Sequence, residues 1–193
     1  MKLNKKEIAF IYNSNKIEQI MYPLKEYSKD PDKSDPHVGG HIKAFLYMKE
    51  NCKKDLTEKD ILIMHRLLTK DILRPKDSGA YRTCAVYISG RQAPMYYSVK
   101  PMMETLIEFA KRVGYENDIW NVHHEFEIIH PFVDGNGRTG RLILNWLRFK
   151  NDLPLEIVLY KDRMEYYTSI EKYRIGKIVS KKLGELNGDK ALY

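Results

Sequence analysis

The segment HPFVDGNGRTGR, residues 130–141, constrains the fold more than any other stretch, because it places a glycine-rich turn between two helical patterns. Gly135, Gly137 and Gly140 have the spacing G-x-G-x-x-G, which is also that of a dinucleotide-binding turn. A dinucleotide-binding fold requires a strand before the glycines and further parallel strands around them. The residues before the turn, HHEFEIIHPF, continue a helical pattern instead. The sequence therefore argues against a dinucleotide-binding sheet.

Helical patterns also dominate the rest of the chain. Thr57 and Asp60 have the spacing of a capping box at the start of DLTEKDILIMHRLL, which predicts a helix there. Four further segments predict helices, and they are SVKPMMETLIEFAKRVG, NDIWNVHHEFEIIH, TGRLILNWLRFKN and RMEYYTSIEKYRIGKIVSKKL. The exception is residues 80–97, where β-branched and aromatic residues surround Ser89 and Gly90, a composition typical of a hairpin. The sequence thus predicts a mainly α-helical bundle with one small β-hairpin.

The domain organisation is predicted from one segment rich in Pro, Asp, Ser and Gly. This segment, YSKDPDKSDPHVGG at residues 27–40, has the composition of a linker. We expect an N-terminal helix and linker over residues 1–35 and one larger domain over residues 36–193, together forming one compact unit. No apolar run reaches the length of a membrane span, and no secretion signal is evident, so a cytoplasmic location without membrane association is expected.

The formal net charge of +7 suits an acidic ligand such as a nucleotide without identifying one. The lysines are scattered, and no basic stripe interleaved with aromatic residues is visible, so a solvated basic surface is favoured over a nucleic-acid interface. Cys52 and Cys84 lie far apart in no metal-binding or redox spacing. We expect both cysteines to be reduced.

Charged residues in the glycine-rich segment form a pattern that indicates a phosphate site. The turn precedes a helix that begins near Arg138, and the free N–H groups of a helix N-terminus bind anions. Arg138 and Arg141 share a face of this first turn, where cations are unfavourable unless an anion is bound. Asp134 in so positive a site is best explained by a divalent cation that bridges it to phosphate oxygens, and His130 can accept a proton near neutral pH. Each residue alone has a structural explanation, but together they favour a catalytic phosphate-binding loop.

The same segment resembles the Fic-domain signature H-P-F-x-[DE]-G-N-G-R-x-x-R at every fixed position. The resemblance extends over about residues 40–175, where HEFEIIHPF is similar to the lead-in of the signature, GAYRTCAVYISG to the flap hairpin and DRMEYY to the closing helix. It implies the mainly helical Fic fold and, as in most studied members, transfer of AMP from ATP to a side-chain hydroxyl of a target protein. The intact GNGR argues against the kinase branch of the family, which is related to the toxin Doc.

The resemblance also implies a role for each residue of the motif. His130 would be the general base that deprotonates a Tyr, Ser or Thr hydroxyl of the target, and Asp134 would hold Mg²⁺ against the phosphates of ATP. Phosphate binding would fall to five residues, Gly135, Asn136, Gly137, Arg138 and Arg141. Of these, Arg141 would lie at the γ-phosphate end. The flap, over about residues 82–96, would pair with an extended target segment as an added strand through three residues, Val86, Tyr87 and Ile88.

Residues 12–20, YNSNKIEQI, resemble the inhibitory helix [ST]-x-x-x-E-[GN] of many Fic proteins. Ser14 and Glu18 have the required spacing and lie on one helical face. The resemblance implies that Glu18 pairs with Arg141 and prevents correct seating of the γ-phosphate. Gln19 stands where Gly or Asn is usual, which leaves open whether the helix continues through it. The alternative is that Glu18 is solvated and that the helix only packs, through Ile8, Ile11 and Ile17.

The leading hypothesis is an autoinhibited protein adenylyltransferase that uses ATP and Mg²⁺. Within enzymes, the same site could use another nucleotide donor or remove AMP. In a different class, the chain would be a nucleotide-responsive regulatory module with vestigial catalysis, against which the intact His130 and Asp134 argue. The target and the oligomeric state are open, and a homo-oligomer is compatible with the sequence. Outside the motif, Tyr166 and Tyr167 are expected either to contact the adenine or to pack at the rim, and His124 to orient its helix.

Overall fold

The computed structural model describes residues 3–186, with side chains as far as residue 181. Seven α-helices lie within these residues, and they are α1 (Lys5–Ile17), α2 (Pro36–Asn51), α3 (Glu58–Thr69), α4 (Tyr96–Arg112), α5 (Glu116–Ile129), α6 (Asn136–Lys150) and α7 (Arg163–Leu186). The β-strands are β1 (Tyr87–Ile88) and β2 (Arg91–Gln92), which pair antiparallel, and short 3₁₀ turns occupy Leu24–Ser28 and Tyr160–Asp162. The predicted mainly α-helical bundle with a small hairpin is confirmed.

Helix α6 lies at the centre of the bundle and contacts α1, α2, α3 and α5. Its apolar residues from Leu142 to Leu147 are almost completely buried, since they face neighbours on every side. A helix that is surrounded in this way also buries the polar residues of its first turns. Arg138 and Arg141 therefore lie inside the protein, at the one end of α6 that reaches a cavity.

The prediction of a linker over residues 27–40 is wrong for its last five residues, which begin α2. Pro36 occupies the first position of this helix and the Asp35 side chain caps it, and both are local helix-start signals. Gly39, one of the residues counted toward the linker composition, packs closely instead. A Cβ atom at Gly39 would collide with the carbonyl oxygen of Pro31.

Several predicted boundaries move by a few residues. Helix α4 begins at Tyr96 rather than at Ser98, and α6 begins at Asn136, within the glycine-rich turn itself. The hairpin predicted over residues 80–97 contains only four paired residues, with Tyr87 opposite Gln92. The predicted capping box of α3, formed by Thr57 and Asp60, is present.

Helix α1 is part of the common core and does not lie apart from it. Phe10, Ile11 and Ile17 are buried, and Phe10 and Ile11 belong to the main hydrophobic cluster. The buried Asn15 side chain binds His41 of α2 through a 2.7 Å contact between Oδ1 and Nδ1. The N-terminal segment is thus held by apolar and polar contacts alike. Residues 187–193 of the predicted larger domain lie outside the described residues.

No helix within residues 3–186 combines the length and the apolar character that crossing a membrane requires.

Candidate active site

A cavity of about 610 Å³ opens at the N-terminal end of α6. It brings together predicted residues that are far apart in the chain. Six of the predicted site residues line it. Four of them are Glu18, His130, Gly137 and Arg141, and the other two, Tyr87 and Ile88, belong to the flap. Tyr166 and Tyr167 of α7 form the opposite wall. Six further predicted residues do not line this cavity, and they are Ser14, Val86, Asp134, Gly135, Asn136 and Arg138.

His130 directly follows the last residue of α5 and adopts a left-handed backbone conformation, with φ of 50°. This conformation is uncommon for a residue with a side chain and turns the ring toward the cavity. The ring Nδ1 lies 3.3 Å from the carbonyl oxygen of Glu127, which can only accept a hydrogen bond. Nδ1 therefore carries the proton of the neutral ring, and Nε2 is left as the acceptor. Burial lowers the pKa of His130 below 6.5, so Nε2 is free to take a proton at neutral pH.

Arg82 fixes the backbone around His130, and the analysis of the sequence did not identify it. Its buried guanidinium donates to four backbone carbonyl groups, which belong to Cys84, Pro94, Ile129 and His130. The Nε–O distance to His130 is 2.8 Å. One side chain thus ties the left-handed residue to both ends of the hairpin. The sequence did contain one indication of this role, because Arg82 is a charged residue at the start of a segment rich in β-branched and aromatic residues.

The turn before α6 is held by hydrogen bonds from side chains. Asn136 Oδ1 accepts the backbone N–H of Phe132, and Asn136 Nδ2 donates to the carbonyl oxygen of the same residue, both at 2.9 Å. Gly135 caps the helix with φ of 78°, a conformation that glycine adopts without strain. His65 of α3 lies 2.9 Å from the carbonyl oxygen of Asp134 and stacks on the Phe132 ring. The Asn136 side chain therefore shapes the turn, and only its backbone faces the helix terminus.

The two arginines of the motif are both buried but differ in their partners. Arg138 is 2% exposed, and its Nε and Nη1 atoms have no hydrogen-bond partner among residues 3–186. Its Nη2 atom lies 3.9 Å from Asp134 Oδ2. Arg141 is 1% exposed and fully engaged. It donates to Ser14 Oγ and the Ser14 carbonyl oxygen at 2.9 Å each, to Glu18 Oε1 at 2.7 Å and to Tyr166 Oη at 3.3 Å. A buried guanidinium with free donors indicates a place for an anion.

The Glu18 carboxylate lies over the first turn of α6. Helix α1 ends at Ile17, and Gln19 takes the left-handed conformation, with φ of 63°, that glycine usually supplies at a helix end. The helix therefore stops despite the glutamine. Glu18 is paired with Arg141 rather than solvated, and its Oε1 lies so near Gly137 that a Cβ there would collide with it. A carboxylate of the chain itself thus occupies the anion-binding end of α6.

Glu127 is a second carboxyl group in the cavity wall, and no sequence pattern indicated it. It lies one helical turn before His130, and its buried Oε1 has no hydrogen-bond partner in the described part of the chain. Burial raises the pKa of Glu127 to about 8, because Arg141 opposes the shift only in part and Glu18 adds to it. Glu127 is therefore mostly protonated at neutral pH. Gly140 leaves the room for it, since a Cβ at that position would collide with Glu127 Oε1.

Asp134 is the only acidic residue of the motif, and its side chain is 60% exposed. Its Oδ1 accepts the N–H of Gly135 at 2.6 Å, which leaves the other oxygen toward solvent and Arg138. Mg²⁺ in nucleotide sites is commonly held by one or two carboxylates together with phosphate oxygens. A single exposed carboxylate fits that kind of site. No group of three or more His, Cys, Asp or Glu residues that could hold a metal alone occurs in the described part of the chain.

The flap and α7 enclose the rest of the cavity. Arg91 of the flap donates from both Nη atoms to Glu171 of α7, at 2.9 and 3.2 Å. Tyr87 is exposed, and β1 and β2 form a two-stranded sheet, so the outer edges have no further strand beside them among residues 3–186. Val86 precedes β1, and its carbonyl oxygen accepts the N–H of Ala93 at 3.0 Å.

The two tyrosines of α7 that the sequence left ambiguous have different surroundings. Tyr166 is buried, and its hydroxyl group contacts Arg141 and His123. Tyr167 is half exposed and donates to the carbonyl oxygen of Ile17, the last residue of α1. His124 lies 3.2 Å from Ser169 Oγ and so links α5 to α7, in keeping with the orienting role expected for it.

Comparison with protein families shows that residues 55–147 match the Fic/DOC family. The protein adenylyltransferase fic-1 of Caenorhabditis elegans is 32% identical over 145 residues, which are 71% of this chain and 27% of that protein. The protein adenylyltransferase Fic of Drosophila melanogaster is 32% identical over 131 residues, which are 65% of this chain and 26% of that protein. The chain thus spans about a quarter of the length of the curated relatives it matches.

Solved structures show the same fold. A fragment of Fic-1 from C. elegans superposes with a TM-score of 0.77 at 24% identity and covers 91% of this chain and 57% of that one. A Fic-domain-containing signalling protein from Bacteroides thetaiotaomicron superposes with a TM-score of 0.73 at 19% identity and covers 85% of this chain and 70% of that one. At these identities the likeness establishes the fold alone, and the fold expected from the sequence motif is confirmed.

Proposed function

The chain belongs to the Fic/DOC family, and we propose that it is an autoinhibited protein adenylyltransferase, which transfers AMP from ATP to a Tyr, Ser or Thr hydroxyl of a target protein. The observation that carries this proposal is the contact between Glu18 and Arg141 at the N-terminus of α6. This end of the helix is built for an anion, and in the structure the anion is supplied by the chain itself.

The chemistry assigned to His130 is removal of a proton. Nε2 of His130 takes the proton of the target hydroxyl, and the resulting oxygen attacks the α-phosphorus of ATP. The bond from that phosphorus to the bridging oxygen of the β-phosphate breaks, and pyrophosphate leaves. A positioned base of this kind contributes about 10²–10⁴-fold to a rate. The tautomer set by the Glu127 carbonyl and the low pKa of the ring both support this assignment.

The phosphates of ATP are assigned to the first turn of α6. Gly137 allows an anion to approach the backbone closely, as the nearby Glu18 carboxylate illustrates. The Nε and Nη1 atoms of buried Arg138 offer hydrogen bonds that no residue in the described part of the chain uses. Arg141 is assigned to the γ-phosphate, which would replace Glu18 as its anionic partner. Backbone groups of Gly135 and Asn136 complete the helix terminus.

Mg²⁺ is assigned to Asp134, whose exposed carboxylate lies beside the same turn. When bound, the ion neutralises part of the negative charge of the phosphates. Asp134 holds it in place, and the hydrogen bond from the Gly135 N–H to Oδ1 orients the carboxylate. The other carboxylate oxygen of Asp134, Oδ2, does not take part in that bond, and the side chain is 60% exposed.

Autoinhibition is assigned to Glu18 and Ser14. The carboxylate competes with the terminal phosphate for Arg141, because the pair already satisfies the guanidinium at 2.7 Å. Ser14 contributes two further bonds to the same arginine and so aligns α1 with α6. Ser14 lies on the face of α1 that is buried against α6, and Glu18 directly follows the last residue of the helix.

The target protein is assigned to the flap. An extended segment added beside the exposed β1 strand would bring its hydroxyl group toward His130, since Tyr87 and Ile88 line the same cavity. Val86 continues the strand toward the Arg82 anchor, whose bonds include the Cys84 carbonyl oxygen.

The test is transfer of radioactivity from α-³²P-ATP with Mg²⁺ into protein, in a cell lysate and in purified form. We expect little label with the wild type and strong label with Glu18→Gly and Glu18→Gln, because both variants remove the competing charge. The double variant Glu18→Gly/His130→Ala should lose the label. Glu50→Gln, which removes an exposed carboxylate at the end of α2, is the matched control and should behave as the wild type.

The outcomes separate the parts of the proposal. Equal labelling of the wild type and both Glu18 variants would refute autoinhibition and leave the transferase in place. No label from ATP in any variant, with label from another nucleotide, would show that the donor is wrong. Binding of ATP without transfer from any nucleotide would favour a regulatory module.

A further inference from the structure

Tyr166 and His123 form a buried polar pair behind Arg141. We propose that Tyr166, backed by His123, is a positioning residue that holds the Arg141 guanidinium at the phosphate site after Glu18 has left. The inference rests on the proposed function, because it gives Arg141 a phosphate to bind. It concerns the side of Arg141 that faces away from α1. There Tyr166 of α7 bonds to the guanidinium, and His123 of α5 bonds to Tyr166.

The geometry is a chain of three buried groups. Arg141 Nη1 lies 3.3 Å from Tyr166 Oη, and Tyr166 Oη lies 2.9 Å from His123 Nε2. Arg141 and His123 are almost fully buried, and Tyr166 keeps only a small exposed fraction in the cavity wall. The three groups come from α6, α7 and α5, so the chain of contacts also joins three helices.

The direction of these hydrogen bonds follows from the atoms involved. A guanidinium has only donors, so Tyr166 Oη accepts from Arg141. The hydroxyl group has a second lone pair and one proton, so its contact with His123 Nε2 is a hydrogen bond in either tautomer of the ring. Burial lowers the pKa of His123 to about 3, so the ring is neutral throughout the physiological range. Tyr166 Oη can therefore bond to both groups at once.

The partners of Arg141 divide into two sets. Ser14 and Glu18 belong to α1 and its end, whereas Tyr166 belongs to α7. When Glu18 is displaced by a phosphate, Nη2 changes its partner, but Nη1 keeps the Tyr166 hydroxyl. Without this bond, the Arg141 side chain would lose its fixed orientation, and its Nη1–H donor would be buried without an acceptor. Tyr166 thus preserves the direction of the guanidinium while its anionic partner is exchanged.

A contact of Tyr166 with the adenine is the competing explanation for its place in the wall. The two explanations differ in the ligand that they affect. Loss of the Tyr166 hydroxyl should weaken binding of ATP, which has a γ-phosphate, and spare binding of AMP. Loss of an adenine contact would weaken both to the same extent.

The test compares ATP and AMP binding by titration calorimetry with Mg²⁺. The background is Glu18→Gly/His130→Ala, so that the site is open and ATP is not consumed. In this background we expect Tyr166→Phe to weaken ATP by about 10-fold, as for loss of a hydrogen bond to a charged group, and to leave AMP unchanged. Tyr173→Phe removes a hydroxyl group from the same helix near Glu125 and is the control, with neither affinity changed.

Two further variants keep the inference open to refutation. His123→Leu leaves Tyr166 its hydroxyl group but removes the hydrogen-bond partner that backs it, and should produce an ATP-specific loss of the same sign. In an Arg141→Lys background, Tyr166→Phe should cause little additional loss. Equal losses for ATP and AMP, no loss for either, or full additivity with Arg141→Lys would each overturn the inference. Because binding is measured without turnover, a failure of the transferase assay does not affect this result.

Discussion

Gly137→Ala is expected to change the stability of the protein with opposite signs in two backgrounds. Gly137 is the second residue of α6, and its backbone φ is not in the left-handed region. An added methyl group would stand 3.1 Å from Arg141 Nη1 and would collide with Glu18 Oε1. The Glu18 side chain must therefore move away, and its bond to Arg141 is lost.

The magnitude follows from two opposing terms. A hydrogen bond that involves a charged group stabilises a protein by about 1.5–3 kcal/mol, and we take about 1.5 kcal/mol because Glu18 is 33% exposed. Replacing glycine by alanine in a helix contributes up to about 1 kcal/mol in the other direction. The wild type should thus lose about 0.5 kcal/mol of unfolding free energy, by the difference of these two terms. In the Glu18→Gly variant no carboxylate is in the way, and alanine should stabilise by up to about 1 kcal/mol once Arg141 Nη1 has shifted by a few tenths of an ångström.

The assay is urea unfolding of four proteins, namely the wild type, each single variant and the double variant. The two substitutions should show a coupling of about 1.5 kcal/mol, since the effect of alanine depends on the presence of Glu18. An equal effect of Gly137→Ala in both backgrounds would refute the reasoning. It would mean that the Glu18 carboxylate does not lie over this turn in solution.

Three further predictions concern proton binding and the flap anchor. Because burial lowers the pKa of His130, the transfer rate of Glu18→Gly should be level above pH 6.5 and fall only below it, and an acid limb centred above 6.5 would contradict His130 as the base. Since the pKa of Glu127 is raised from 4.5 to about 8, the folded state binds a proton that the unfolded state has released, and the unfolding free energy should decline as pH rises through this window. Urea midpoints at the two ends of the window should show this decline in the wild type and its loss in Glu127→Gln. Arg82→Ala should destabilise by about 3 kcal/mol or more, because four carbonyl groups lose a charged donor. Arg91→Ala, at an exposed ion pair, should cost about 0–1 kcal/mol in the same denaturation experiment.

The helices were predictable where local signals and apolar periodicity agreed. The capping box at Thr57 and the buried stripe of α3 are examples, because both depend only on neighbours within one helix. Helix α2 was missed because Gly39 and Pro36 resemble linker residues when the chain is considered locally. Pro36 with Asp35 is also a local helix-start signal, whereas the purpose of Gly39 is visible only in three dimensions, where the backbone of α2 passes close to Pro31.

The candidate site was predictable in its motif but not in its supporting contacts. Glu18 and Arg141 were paired through resemblance to a known pattern, which bridges their large separation in the chain. Arg82, Glu127 and Tyr166 lie in segments that resemble the family, but the resemblance assigned no role to Arg82 or Glu127 and left that of Tyr166 ambiguous. Their importance depends on burial and on contacts between distant segments, and neither spacing nor composition reports these.

Helix α1 has one consequence for how inhibition could be relieved. Its apolar face fills part of the common core, and Asn15 is tied to His41 inside the protein. Undocking the helix would therefore open the core to water, an event comparable to partial unfolding. Glu18, in contrast, lies just past the last helical residue, where a few backbone rotations suffice to withdraw one carboxylate. One segment thus contributes both to the core, through α1, and to inhibition, through Glu18. Release of inhibition is expected to move Glu18 and to leave α1 in place.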